Sequence, residues 1–314
     1  MQNLHRLLIL ALSLFVIAPA SADNHAKHPS PWGPDDTLGS VNRLSPELVL
    51  KASRLIKTGK TYPLGVETGP TSPAYPPHQY QMTILQLDDG SGAGWGDNKL
   101  TGNDDLMNMW MGIGSQIDGL GHIGIDHVYF NGNHASDFVK VTGLTKFSIS
   151  DVPPIVTRGV LLDITRLKGQ PMLAAGTAVN SEDIKAAANA QGVTIEEGDV
   201  VILHTGWLDM ADKDAAAFMK GEPGLGVDGA KYLAKIGVVA VGADSFGVEA
   251  IPFETEGQMF PVHQELIAKN GIYLLENMDT RALAKDEAWE FLFVLGQPRF
   301  VGAVQAVINP VAIR

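Results

Sequence analysis

The sequence predicts an α/β fold, and three observations predict it. Short apolar runs of strand length recur at 159–162, 200–204, 238–242 and 272–275. Segments with helical periodicity and capping residues lie between them. The chain is 45% apolar over 314 residues, ample for a large core. Strands alternating with helices give an α/β or α+β arrangement, and charge-free runs rich in Val, Ile and Leu suit strands covered on both faces. The length fits one large domain or two tightly joined ones.

The chain opens with His5 and Arg6, an apolar stretch from Leu7 to Ala18, and the small residues Ala20 and Ala22. That order describes a secretory signal peptide spanning 1–22, which leaves a single mature domain at 23–314 in the periplasm or outside the cell. The apolar stretch is too short to span a bilayer comfortably, and no later segment is both long and charge-free enough, so no membrane partner is expected. With Cys 0 there is nothing to oxidise in such a compartment and no disulfide framework. The net charge is −12, and cleavage after Ala22 removes Arg6 but no acidic residue. A surface this acidic repels phosphate, which argues against nucleic acid and leaves a small molecule as the expected partner.

In chain order, 23–34 is a polar, proline-containing arm. Ser45 caps a helix over 46–56 with Pro46 at its first position. The stretch from Gly69 to His78 carries Pro70, Pro73, Pro76 and Pro77, and 88–97 is rich in glycine; either suits a lid or an oligomer arm. Ser181 opens a helix running to Gln191, Asp228 another ending at Ile236 and Gly237, and 212–219 and 262–270 read as further helices.

The chemistry concentrates at Gly114-Ser115-Gln116-Ile117-Asp118-Gly119-Leu120-Gly121-His122. In an extended chain residues two apart share a face, so Gln116, Asp118, Leu120 and His122 converge if the backbone stays near-extended. Glycines at 112, 114, 119 and 121 leave room for a close ligand. His263 begins a helix after Pro261, Gly271 turns the chain, and Glu276 ends an apolar strand, where a carboxylate is costly to bury without a cation or donors. Trp95, Trp110, Tyr129 and Phe130 lie near the run and offer an aromatic substrate wall. Taken alone, Asp118 also reads as a cap of the Gly119 turn and His122 as a backbone-bonded histidine, while His127, His134 and His204 read as structural or surface residues. Asp104-Asp105 reads as a solvated loop pair, and Asp244-Ser245 as support behind the site. No serine-hydrolase elbow is present, because 243–247 fails at its first position, and the glycines of 90–96 lack nucleotide-loop spacing.

The run from Gly112 to His122 resembles the motif His-x-Gly-Thr-His-x-Asp-x-Pro-x-His of the metal-dependent cyclase or kynurenine formamidase-like hydrolases, which include arylformamidases and isatin hydrolases. Trp32-Gly33-Pro34-Asp35-Asp36, Arg158 to Asp163, Gly198-Asp199-Val200, Thr205-Gly206-Trp207, Gly242-x-Asp244-Ser245 and the segment from His263 to Asn277 match in the same order. The resemblance implies a swivelling β/β/α fold and one divalent ion, manganese or zinc, held by Gln116, Asp118 and His263. It makes His122 the proton shuttle and Glu276 a catalytic residue, with hydrolysis of a formamide or cyclic amide as the reaction. A lactone is the alternative substrate, and a dimer or tetramer of identical chains the expected assembly. Gly112 and Gln116 stand where the motif has histidines, and Leu120 where it has proline. Two lost imidazoles weaken zinc affinity, shift preference toward manganese or magnesium, and argue against a two-metal centre. Complete loss of metal affinity would leave a non-catalytic periplasmic binding protein.

Overall fold

The computed structural model describes residues 28–86 and 90–314, and the signal peptide read at 1–22 lies outside them. Along the chain come β1 (Thr61–Pro63), β2 (Tyr80–Gln86), β3 (Asn103–Met109), β4 (Gln116–Asp118), β5 (Ile155–Asp163), β6 (Val200–His204), β7 (Ala240–Ala243), β8 (Tyr273–Glu276), β9 (Glu290–Leu295), β10 (Gln305–Val307) and β11 (Val311–Ile313). The principal helices are α1 (Pro46–Ser53), α2 (Ser181–Gln191), α3 (Val227–Ile236) and α4 (Pro261–His263), the last continued by π-helical turns over Gln264–Lys269.

Nine strands form one mixed sheet in the order β1-β11-β9-β5-β6-β7-β8-β4-β10. The four apolar runs are its centre, β5 to β8, paired in parallel. Val200, Val201, Ile202 and Leu203 of β6 are all 0% exposed, as strands covered on both faces require. Helices α2, α3 and α4 each cross between successive parallel strands and pack in a row, while α1 lies against β5 and β9. The α/β expectation therefore holds.

Local chemistry explains the helix limits. Ser45 accepts the Leu48 N–H and Pro46 sets the first turn of α1, which stops at Ser53 rather than continuing to 56. Beyond it the Leu55 and Ile56 N–H groups bond three residues back, to Ala52 and Ser53, which is a tighter turn than an α-helix. In α2 the cap is Asn180, not Ser181, with Asp183 returning a bond to the Asn180 N–H. Helix α3 ends on Gly237 at φ 90°. The expected helix at 212–219 is two short ones, Leu208–Lys213 and Ala215–Phe218, because Asp214 adopts extended backbone and caps the second.

Strands β2 and β3 form a separate antiparallel hairpin that the sequence reading did not anticipate. Asp104 and Asp105, expected in a loop, lie within β3, and the glycine-rich stretch joins the two strands. Residues 30–36 are fastened rather than loose: the Asn131 amide donates to the carbonyls of Gly33, Pro34 and Asp36 and accepts the Ser30 N–H. Among the described residues no helix is long and apolar enough to cross a membrane.

Candidate metal centre

Strand β4 sits between β8 and β10 and its register builds the site. Glu276 lies opposite Gln116 on one side, and Gln305 opposite Asp118 on the other. Residues paired across strands share a face, so these four side chains meet. The Gln116 amide donates to Glu276 Oε2 at 2.5 Å and to Asp118 Oδ1 at 3.2 Å, and Gln305 Nε2 donates to Asp118 Oδ1 at 2.7 Å. Ile117 points the other way and is 0% exposed.

The extended backbone does not continue past Asp118. Residues 119–122 turn, with the His122 N–H bonded to the Gly119 carbonyl, and Leu120 is buried in the core instead of facing the site. His122 reaches the site through that turn, with Nε2 3.9 Å from Asp118 Oδ2. His263 arrives from the start of α4. Glu249 accepts the N–H groups of Val262 and His263 and holds His263 Nδ1 at 2.5 Å, so one carboxylate caps the helix and orients the ring. His263 Nε2 then lies 3.4 Å from Glu276 Oε1 and 3.7 Å from Asp118 Oδ2.

Asp118, His122 and His263 each offer a ligand atom, all within 4.8 Å of one another. Burial would raise the Asp118 pKa, but the His122 and His263 imidazoles outweigh it and hold the carboxyl at about 2. Burial, reinforced by the Asp118 charge, pushes Glu276 up to about 8. Burial lowers His122; it would lower His263 too, yet the surrounding carboxylates of Asp118, Glu249 and Glu276 carry that imidazole well above its ordinary value. The fit to a divalent cation has an independent mark: Asp118 Oδ2 and Gln116 Oε1 are buried without any hydrogen-bond partner. Buried oxygens are ordinarily satisfied, and a carboxylate, an amide oxygen and the His263 imidazole form a donor set for a first-row divalent ion, with His122 beside it.

A cavity of ≈ 360 Å³ opens onto this cluster, lined by Gln116, His122, His263, Glu276 and Gln305 with aromatic walls from Tyr75, Trp110, Phe246 and Phe260. All five polar site residues expected from sequence are thus brought together, with Trp110 beside them. Trp95 and Phe130 stand apart. Trp95 pairs with Leu100 in the β2–β3 connection and is 58% exposed. Phe130 is 1% exposed and packs edge-on against Phe147, because its ring fills the core below Gly271. Sequence reasoning missed Gln305, Glu249, His78 and the walls Tyr75, Phe246 and Phe260. Asp244, expected behind the site, instead ties the ends of β6 and β7 together, accepting from Thr205 and Gly206 and lying 3.2 Å from His204, none of which lines the cavity.

A family model described as Cyclase matches residues 61–250, more than half of the chain. No curated protein matches it. A crystal structure of a novel cyclase shares 28% identity with a TM-score of 0.81, covering 90% of this chain and 98% of the other. An isatin hydrolase bound to the product analogue thioisatinate shares 18% identity at a TM-score of 0.60, with 86% and 98% covered. A predicted metal-dependent hydrolase from Bacillus stearothermophilus shares 20% at 0.54, with 81% and 97% covered. The last two are likenesses of fold. Matched span, sheet and site lead to one assignment: the chain belongs to the Cyclase family.

Proposed function

We propose that this chain is an exported, metal-dependent hydrolase that opens the C–N bond of a formamide or cyclic amide, with manganese or zinc as its ion. The observation that carries the reading is the Asp118, His122 and His263 cluster at one end of an aromatic-walled cavity, with buried oxygens left unpaired beside it. A divalent cation supplies Lewis acidity there, polarising a carbonyl and acidifying water toward neutrality.

The chain's own residues do the rest. Gln116 and Gln305 hold the carboxylates of Glu276 and Asp118 in place. The His122 side chain is 28% exposed, against 0% for Asp118 and 2% for His263, so it is the member of the cluster that meets substrate. Burial lowers its pKa, which keeps it neutral near pH 7 and able to move a proton to the leaving nitrogen. Tyr75, Trp110, Phe246 and Phe260 suit a planar ring, and the cavity volume suits a small molecule. The fold shared with an isatin hydrolase supports a cyclic amide. The N-terminal sequence supports export to the periplasm or beyond. The hairpin β2–β3 leaves Ile84, Leu85, Leu106 and Met107 exposed, which supports a dimer or tetramer.

Metal analysis of the purified protein, with hydrolysis of isatin, N-formylkynurenine and simple lactones followed before and after chelation, tests the proposal. Asp118→Ala is expected to lose both ion and turnover with an unchanged circular dichroism spectrum. Full turnover after chelation would sink the metal-dependent reading, and opening of lactones alone would sink the C–N assignment. His122→Ala is expected to keep the ion and to turn over about 100 to 10,000 times more slowly. Loss of the ion in that variant would make His122 a ligand instead of the shuttle.

A further inference from the structure

Position 112, where the resembling motif carries an imidazole, is glycine, yet another imidazole, that of His78, stands beside it. A Cβ built on Gly112 would lie 3.4 Å from His78 Cε1 and 3.4 Å from Gln116 Oε1. Cε1 is the ring carbon between the two nitrogens, so His78 turns its nitrogen-bearing edge toward Gly112. The ring is pinned by stacking on Trp110, with centroids 4.6 Å and planes 20° apart. It lines the same cavity as His122.

His78 Nδ1, Gln116 Oε1 and Asp118 Oδ2 are all buried and all without a hydrogen-bond partner. His78 and Gln116 line the same cavity, and Asp118 is hydrogen-bonded to Gln116 directly behind it. Atoms bearing lone pairs are rarely left bare in a protein interior, and a cation entering from the cavity would supply what these lack. We propose that His78, from the proline-rich segment outside the motif, is the imidazole ligand that replaces the one missing at position 112, joining Gln116 Oε1 and Asp118 around the divalent ion. The inference rests on the metal-dependent reading above. Gly112 and His78 are then two halves of one exchange: a Cβ at 112 would stand in ordinary contact with the ring, and an imidazole built on it would compete with His78 for the same corner.

Binding of Mn(II) alone to the full mature chain, followed by loss of the free-ion electron paramagnetic resonance signal, tests this. His78→Phe keeps an aromatic ring stacked on Trp110 but carries no nitrogen. It is expected to bind Mn(II) at least about tenfold more weakly than the unmodified chain and to lose one nitrogen coupling in the pulsed spectrum. Adding Gly112→His to His78→Ala is expected to restore both affinity and coupling, which a packing role would not do. Unchanged affinity and nitrogen coupling in His78→Phe would overturn the inference while leaving the metal-dependent reading intact. Failure of the unmodified chain to bind either Mn(II) or Zn(II) would overturn both.

Discussion

Glu249 shows how much one buried carboxylate decides. It accepts two backbone N–H groups at the start of α4 and holds His263 Nδ1, which fixes the ring so that Nε2 faces Asp118 and Glu276. Removing such a partner loosens a ligand without touching the ion, and the usual cost is about 10- to 100-fold in metal affinity. Glu249→Ala is expected to weaken Mn(II) binding by that factor in a calorimetric titration. Glu249→Gln keeps an acceptor for the helix N–H groups but loses the charge, and should fall between. Wild-type affinity in Glu249→Ala would show that packing alone orients His263.

Pairing of whole strands sets tighter limits. Gly159 of β5 lies directly opposite Phe291 of β9, and a Cβ there would stand 2.1 Å from Phe291 Cε2. Phe291 is 0% exposed, so its ring has little room to retreat. Gly159→Ala is expected to destabilise the fold by about 1–3 kcal/mol in urea denaturation, the range for overpacked cores. A wild-type midpoint would mean that the ring swings aside freely. The same parallel strands are the elements most legible in the sequence, since burial on both faces writes itself as unbroken Val, Ile and Leu, and β6 keeps the limits its residues suggest. Strands β2 and β3 are not legible, because six of seven residues in each are exposed and no core imposes an alternation on them. The site divides in the same way. Asp118, His122, His263 and Glu276 are marked by their ordered match to the family motif, while alternation alone carries only from Gln116 to Asp118 before the chain turns. Gln305 acquires its role only through a register joining residues 187 positions apart, and His78 only through a ring stacked across the cavity.

At the scale of the molecule, an acidic chain repeats its charge imbalance inside. Asp118, Glu222, Glu249 and Glu276 are buried near one another, with His263 among them. Burial, with the charge of Glu276 nearby, raises Glu222 well above its ordinary value, and burial with Asp118 pushes Glu276 to about 8. His263 is also raised, its carboxylate partners outweighing burial. Each of these groups therefore binds its proton more tightly folded than unfolded, where the carboxyls release it near 4.5 and the imidazole near 6.5. Unfolding releases protons across that interval, so metal-free stability falls as pH rises, by about 1.4 kcal/mol per pH unit for each proton released. Asp118 and His122 run the other way: the Asp118 contribution is complete above its unfolded value of 3.8, and His122, lowered by burial, opposes the fall only up to about its unfolded value of 6.5. A bound cation displaces the protons and neutralises the carboxylates, and its stabilisation, about 2.7 kcal/mol at a hundredfold excess over Kd, grows as they ionise. The Tm of the chelated protein is accordingly expected to fall from about pH 6 to about pH 8, and the gap opened by saturating Mn(II) to widen over the same range. A chelated Tm that holds level or rises there would show that these carboxylates do not crowd one another in the folded chain.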